Sequence, residues 1–317
     1  MEKHRVIALS GGVGGAKLAL GLSRVLPPGD LTVIANTGDD FEHLGLSISP
    51  DLDTLVYTLA GLDNPETGWG RRDESWRFMA ALEALGGETW FRLGDRDLAT
   101  HIERTRRLRS GESLFQITDD FRRRLGIATR ILPMSDDAVR TRVKTAQGWV
   151  EFQDYFVRQR CEPAISAIEF RGASTSQPHP DFLAALGDPA LRAVIICPSN
   201  PFISIEPILA LPGIHAALGA STAPVIAVAP VIGGRAVKGP TAKMMQELGI
   251  EASARAVARR YGDLLDAYVV DRADVESCRG FDCAIIPAKA LMQTLADREA
   301  LARIALQAAD RMLEPAA

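Results

Sequence analysis

Two hydrophobic rhythms alternate along this chain. Continuous apolar runs occur at RVIAL (5–9), LTVIANTG (31–38), LRAVIICPSNP (191–201), APVIAVAPVIGG (223–234), LLDAYVVD (264–271) and FDCAIIP (281–287). Most are short, rich in Val and Ile, and closed by glycine, proline or polar residues, which is the pattern of strands buried on both faces. Helical periods follow most of them: from Ala16 onward after the first, Thr241 to Leu248, and Leu291 to Leu313. Strand–helix alternation of this kind predicts an α/β fold, Rossmann-like and doubly wound, with a mostly parallel sheet whose ligands gather where strands end. The middle reads differently. Residues 73 to 130 carry charged helical periods, and TRVKTAQGWVEFQDYFV (141–157) alternates around Gln147-Gly148 like a hairpin. The expectation is one domain over residues 1–317, with a helix-and-hairpin insertion at about 73–190 between the two halves of the sheet.

Bulk composition narrows the function classes. A chain of 317 residues, 47% hydrophobic and 24% charged, is an ordinary globular chain long enough for an enzyme. No segment approaches the roughly 18 apolar residues of a membrane span, and the apolar run before the first glycines is too short for a secretory signal, so a cytoplasmic protein is expected. Cys161, Cys197, Cys278 and Cys283 form no C-x-x-C motif and read as reduced core residues. A formal charge of −4 offers no general attraction for nucleic acid or an acidic membrane, so anion binding must rest on local groups. The arginine clusters at 104, 106, 107, 109 and at 122–124 read as solvated helix faces.

The first local candidate is SGGVGGAKL, with Gly11, Gly12, Val13, Gly14, Gly15 and Lys17 directly after a strand. It is not a Walker loop, because the spacing fails and Leu18 follows the lysine; nor is it G-x-G-x-x-G, because no third glycine falls in register. The physics common to both remains. Glycines let backbone N–H groups approach a phosphate closely at a helix start; alternatively they only let the helix pack tightly on its strand.

Carboxylates collect beside that turn. NTGDD (36–40) ends the second strand and ISPDLDT (48–54) follows, placing four aspartates within fifteen residues. Asp51 and Asp53 fit the start of a helix after Pro50, where capping and the helix dipole favour acids. They also fit oxygen ligation of Mg²⁺ next to a phosphate cradle, where a cation would offset the repulsion between clustered carboxylates and an anionic substrate. A further polar group is Arg92, Asp95, Arg96, Asp97 and His101 in WFRLGDRDLATH, where Asp97 and His101 share a helix face. PMSDD (133–137), PSNP (198–201) and VIGG (231–234) supply three more loops of ligand-binding character.

SGGVGGAKL, NTGDD, ISPDLDT, WG at 69–70, LGDRDLATH, PMSDD, FQDY and PSNPFISI, followed by PVIGG and a Rossmann-like closing half, occur in an order that resembles the 2-phospho-L-lactate transferase family of deazaflavin biosynthesis from end to end. That resemblance implies a transferase that joins a phospho-acid to the deazaflavin Fo. The donor would be a guanylyl diphosphate adduct of 2-phospholactate, phosphoenolpyruvate or a related three-carbon acid, and GMP would leave. It further implies a homodimer, Mg²⁺ as cofactor with Asp40 and Asp53 as preferred ligands and Asp39 and Asp51 as substitutes, and Fo contacts through Asp53, also the candidate base, and Arg92. The glycine turn would then hold the diphosphate, with Ser199 and Asn200 lining the same crevice. Relatives often carry GGTGTPK where this chain has GGVGGAK, so backbone rather than hydroxyl groups would hold phosphate here. Two rival readings compete with this one. A non-enzymatic nucleotide-sugar-binding protein of the gluconeogenesis-factor type shares the turn and sheet but does not need ISPDLDT or LGDRDLATH. A nicotinamide oxidoreductase would need a registered fingerprint and an acid after the second strand, where this chain has Asn36.

Overall fold

A computed structural model describes residues 3–236 and 239–314. The first run forms β1 (Arg5–Ser10), and helix α1 (Gly12–Val25) begins four residues earlier than the sequence pattern suggested, inside the glycine turn. Then come β2 (Leu31–Ala35), a small hairpin of β3 (Phe41–His43) and β4 (Leu46–Ile48), and α2 (Pro50–Ala60). Three helices follow: α3 (Arg77–Ala84), α4 (Asp95–Arg109) and α5 (Leu114–Arg124). They lead to β5 (Arg130–Pro133), which pairs parallel with β2.

β6 (Arg140–Thr145), β7 (Gly148–Glu151) and β8 (Ala167–Arg171) make a separate antiparallel sheet in the order β7-β6-β8. The hairpin is therefore present but shorter than its alternation implied, since Asp154–Arg158 turns into a single π-helical turn. After α6 (Pro180–Leu186) the main sheet resumes with β9 (Leu191–Ile196). α7 (Glu206–Leu209) and α8 (Ile214–Ala220) precede β10 (Val225–Val228), and the small pair β11 (Val231–Ile232) and β12 (Arg235–Ala236) follows it. The chain closes with α9 (Thr241–Glu247), α10 (Ala254–Tyr261), β13 (Ala267–Asp271), β14 (Ala284–Ala288) and α11 (Leu295–Leu313).

The main sheet has seven strands in the order β14-β13-β10-β9-β1-β2-β5, all parallel. Both faces are covered, so the strands need no polar side. Val6 and Ala8 face a core shared with α1, α2 and α11, while Ile7 and Leu9 face one shared with α6, α8 and α10. Each edge strand carries a proline, Pro133 and Pro287, where a missing N–H costs no ladder bond and discourages further pairing.

Residues 73–190 are thus not one insertion. β5 returns to the sheet within them and divides the helical part from the antiparallel part. A four-residue run that ends in proline gave too little pattern to be read as a strand. From β1 the chain winds outward through β2 to β5; from β9 it winds outward the other way through β10, β13 and β14. The switch point lies between β1 and β9, so the loops after those strands diverge and leave a crevice.

Candidate active site

A cavity of about 800 Å³ opens there. The glycine turn after β1, Pro198–Asn200 after β9, Ala229 and Pro230 after β10, and Ala290 and Met292 after β14 all reach it. Tight packing shapes its floor. A Cβ on Gly14 would lie 2.3 Å from the Pro198 carbonyl oxygen, and one on Gly15 would lie 2.4 and 2.5 Å from the hydroxyls of Ser10 and Ser199. The glycines therefore bring two strand ends together, as the packing alternative required. Cradle and packing are not exclusive, because the same closeness aims α1 at the cavity. The Gly11 amide donates to Ser199 Oγ (3.1 Å) and the Gly12 amide to Asp51 Oδ1 (2.7 Å). Val13 and Gly14 then supply the remaining first-turn amides, which helix geometry leaves without intrahelical acceptors, and both residues line the cavity.

Asp39 and Asp51 stand beside this turn, both buried and both on the cavity wall. Asn36 fixes Asp51 by donating to its Oδ2 (2.9 Å), and a second hydrogen bond from the same amide nitrogen reaches the Ile203 carbonyl. Burial pushes the Asp51 carboxyl up to about 6. Burial, followed by the charges of Asp51 and Asp40, pushes Asp39 well above the usual carboxylate range. Asp39 Oδ1 is buried without a hydrogen-bond partner among the described residues. Asp40 is also pushed up, to about 7 by burial, but it turns to Ser49 Oγ (2.8 Å) and does not reach the cavity wall.

The second carboxylate group sits on the first turn of α2 and on α4, and lines the same cavity. Glu74 caps α4 through the amides of Arg96 (2.7 Å) and Asp97 (2.8 Å), while Asp95 receives Ser75 Oγ (2.5 Å) and the Phe78 amide (3.1 Å) at the start of α3. Gly94 permits this exchange, since a Cβ there would meet the Glu74 carboxyl at 2.3 Å. LGDRD is thus partly a mutual cap of two helices. With α4 so fixed, Asp97, His101 and Arg104 follow at i, i+4 and i+7 on its inward face.

Arg104 binds Asp53 through both terminal nitrogens, Nη1 to Oδ2 at 3.1 Å and Nη2 to Oδ1. His101 lies between two acids, with Nδ1 3.7 Å from Asp53 and Nε2 3.2 Å from Asp97. The second contact is not aligned as a hydrogen bond. Tyr57 Oη donates to Asp97 Oδ1 at 2.6 Å. Burial alone would raise the Asp97 carboxyl, but His101 and Tyr57 outweigh it and hold it below the usual range. Asp53, Asp97 and His101 offer converging ligand atoms within 4.8 Å, the arrangement found for a metal-binding trio among the described residues. The structure therefore groups Asp53 with these two rather than with Asp40.

The remaining wall is aromatic. Tyr57, Trp69, Trp90, Phe91, Phe152 and Phe156 line it, and Trp69 is 52% exposed. Arg92 lines the same end and lies over the Trp76 ring at 4.2 Å. The sequence candidates Gly11, Gly12, Val13, Gly14, Lys17, Asp53, Arg92, Ser199 and Asn200 thus reach one cavity, together with Asp39, Asp51, Asp97 and His101. Lys17 Nζ donates to the Met292 carbonyl at 3.3 Å, and Asn200 Oδ1 also accepts the Phe202 amide at 2.9 Å. Gly15 and Asp40 lie behind the wall instead.

The family model described as 2-phospho-L-lactate transferase CofD matches residues 6–305. The chain belongs to this family. It is 44% identical over 308 residues to a phosphoenolpyruvate transferase of Kitasatospora aureofaciens, covering 95% of each chain. It is 39% identical over 306 residues to a 2-phospho-L-lactate transferase of Methanosarcina mazei, covering 96% of this chain and all of that one. A solved UPF0052-family protein of Bacillus halodurans matches in fold, with a TM-score of 0.65 at 14% identity over 96% of this chain and 99% of that one. The chain is accordingly a transferase of the coenzyme F-420 pathway, and nothing in these matches favours the nucleotide-sugar-binding or oxidoreductase rivals.

The arginine clusters divide under this geometry. Arg106, Arg123 and Arg124 are exposed and pair with Glu103, Asp119 and Asp120, as solvated faces should, while Arg107 and Arg122 are half-buried in pairs with Glu112, Asp120 and Asp119. Arg104 departs from that reading, being 2% exposed and bound to Asp53. Its seven-residue distance from Asp97, on the face already carrying His101, is the signal that could have separated it from its neighbours.

Proposed function

We propose that this transferase moves a phospho-acid from its guanylyl diphosphate adduct to the terminal ribityl hydroxyl of Fo. A new phosphorus–oxygen bond forms to that hydroxyl, the bond to the GMP oxygen breaks, and the hydroxyl proton is released. The observation that carries the reading is the joining of two unlike ends in one cavity. One end offers helix-start amides and Lys17 for a diphosphate, and the other offers aromatic rings, Arg92 and Asp53 for a flat acceptor with a hydroxylated tail. Asp53, paired with the Arg104 guanidinium, would accept the hydrogen bond of the attacking hydroxyl and set its direction. A loose phosphoryl transfer needs orientation more than a strong base.

Mg²⁺ commonly takes one or two carboxylates and completes its shell with water and substrate phosphates. Asp39 and Asp51 fit that pattern, since both line the cavity beside the glycine turn and Asp39 Oδ1 lacks a hydrogen-bond partner among the described residues. Asp53 fits less well, both of its oxygens being engaged by Arg104. The cation would supply charge neutralisation for the diphosphate. A homodimer is carried forward from the family resemblance alone.

The test is a reaction of purified protein with Fo, Mg²⁺ and, separately, guanylyl adducts of 2-phospholactate, phosphoenolpyruvate and phosphoglycerate, followed by mass spectrometry. A deazaflavin phosphodiester with GMP released is expected, and the fastest adduct names the acid. Tight binding of Fo or a guanine nucleotide with no product from any adduct would reject the transfer.

A further inference from the structure

We propose that Arg104 is a positioning residue for transfer, fixing the carboxylate plane of Asp53 so that its remaining lone pairs face the acceptor. The proposal rests on the acceptor reading of Asp53 given above. Arg104 rises from the third turn of α4 and reaches the first turn of α2, where it contacts both oxygens of Asp53. Arg104 Nη1 also donates to the Ser47 carbonyl at 3.4 Å and lies 3.4 Å from His101 Nδ1. The guanidinium is therefore tied to β4, to Asp53 and to its own helix.

Stability alone does not account for this pair. A buried ion pair gains little over apolar residues of the same volume, and here the Arg104 Nε–H is buried without an acceptor among the described residues. What the pair supplies is direction. A planar fork matched to a planar carboxylate sets position and tilt together, whereas an ammonium in the same place would set distance only. Asp53 faces the cavity with Arg104 behind it, because Asp53 lines the wall and Arg104 does not.

R104K is the discriminating variant, since it keeps the buried charge and loses the fork. The wild type and R104K are compared by kcat, by KM for each substrate, by Fo affinity from its fluorescence, and by Tm. The expected result is a fall of about 10²-fold in kcat/KM for Fo, the size of loss that a misplaced orienting group produces, with KM for the guanylyl donor unchanged. R104A then tests the geometry: millimolar methylguanidinium should restore activity at least tenfold, and tetramethylammonium at equal ionic strength should not. If R104A does not fold, R104K alone decides. An R104K enzyme with near wild-type kcat and KM but a lowered Tm would overturn the proposal, leaving Arg104 a structural tie, and so would equal rescue by both cations. These failures are separable from failure of the functional reading, in which the wild type itself transfers nothing to Fo and the assignment of Arg104 falls with it.

Discussion

Asp51 and Asp53 stand two residues apart on the first turn of one helix and are equally buried, at 6% and 5% exposure, yet they live in opposite surroundings. Residues at i and i+2 of a helix point to different sides. Asp51 turns toward the glycine turn and meets only neutral donors, the Gly12 amide and the Asn36 side chain, in the company of Asp39. Asp53 turns toward α4 and meets a guanidinium and an imidazole. The first surroundings leave negative charge uncompensated and drive the acids to hold protons or attract a cation; the second compensate the charge in place. One helix turn thus divides the acids of PDLD between the ends proposed for phosphate and for acceptor.

Removing Asp53 should give the largest effect. D53N is expected to lose transfer by at least about 10³-fold, an effect seen when a group acting at the reacting centre is removed. It should also lower stability by roughly 3–5 kcal/mol, because the buried Arg104 loses its charge partner. In D53N/R104M both charges are gone, so denaturant midpoints should recover much of that loss while transfer stays absent. If D53N transfers normally, the acceptor end is misassigned.

A smaller effect is expected at the phosphate end. In G14A the added Cβ runs into the Pro198 carbonyl, which is backbone and cannot swing aside. Overpacking of this kind costs about 1–3 kcal/mol. Calorimetry should show weaker binding of the guanylyl donor with Fo binding unaltered, and a loss of Fo binding instead would break the division between the two ends.

The last effect is a pH dependence of stability at Asp40, where burial outweighs the opposing charges of Arg140 and Arg104. Asp40, raised to about 7 by burial, binds its proton more tightly folded than unfolded. Its contribution to stability is complete below the unfolded pKa near 4 and is lost as pH rises from there through about 7. The loss is at most roughly 4 kcal/mol by linkage. In metal-free buffer D40N, which has no proton to lose, should therefore gain Tm relative to the wild type as pH goes from 5 to 8. A gap independent of pH would mean that Asp40 is not held protonated.

Much of the fold was legible because buried parallel strands must be apolar on both faces and must end in loops. Six of the seven sheet strands announced themselves in this way, whereas β5 did not, because its four residues end in Pro133. The site was legible in parts. The glycines, Asp53, Arg92, Ser199 and Asn200 could be singled out by residue type and motif, and all but Gly15 reach one cavity. Arg104 was hidden among neighbouring arginines because composition does not say which face of α4 is inward. Asp40 looked equivalent to Asp39 in sequence, and only the turn before β3 sends one toward Ser49 and the other toward the cavity.

By itself, then, the sequence determined the doubly wound sheet, the family and the residue types available for chemistry, since these follow from periodicity and from motifs in a fixed order. The tertiary structure decided which of those residues meet. The crossover from β5 to β9 sets the loops after β1 and β9 side by side, the mutual capping of α3 and α4 turns Asp97, His101 and Arg104 inward, and the first turn of α2 sends Asp51 and Asp53 apart. Those meetings depend on contacts between segments up to 275 residues apart, as at Lys17 and Met292, and no local pattern records them.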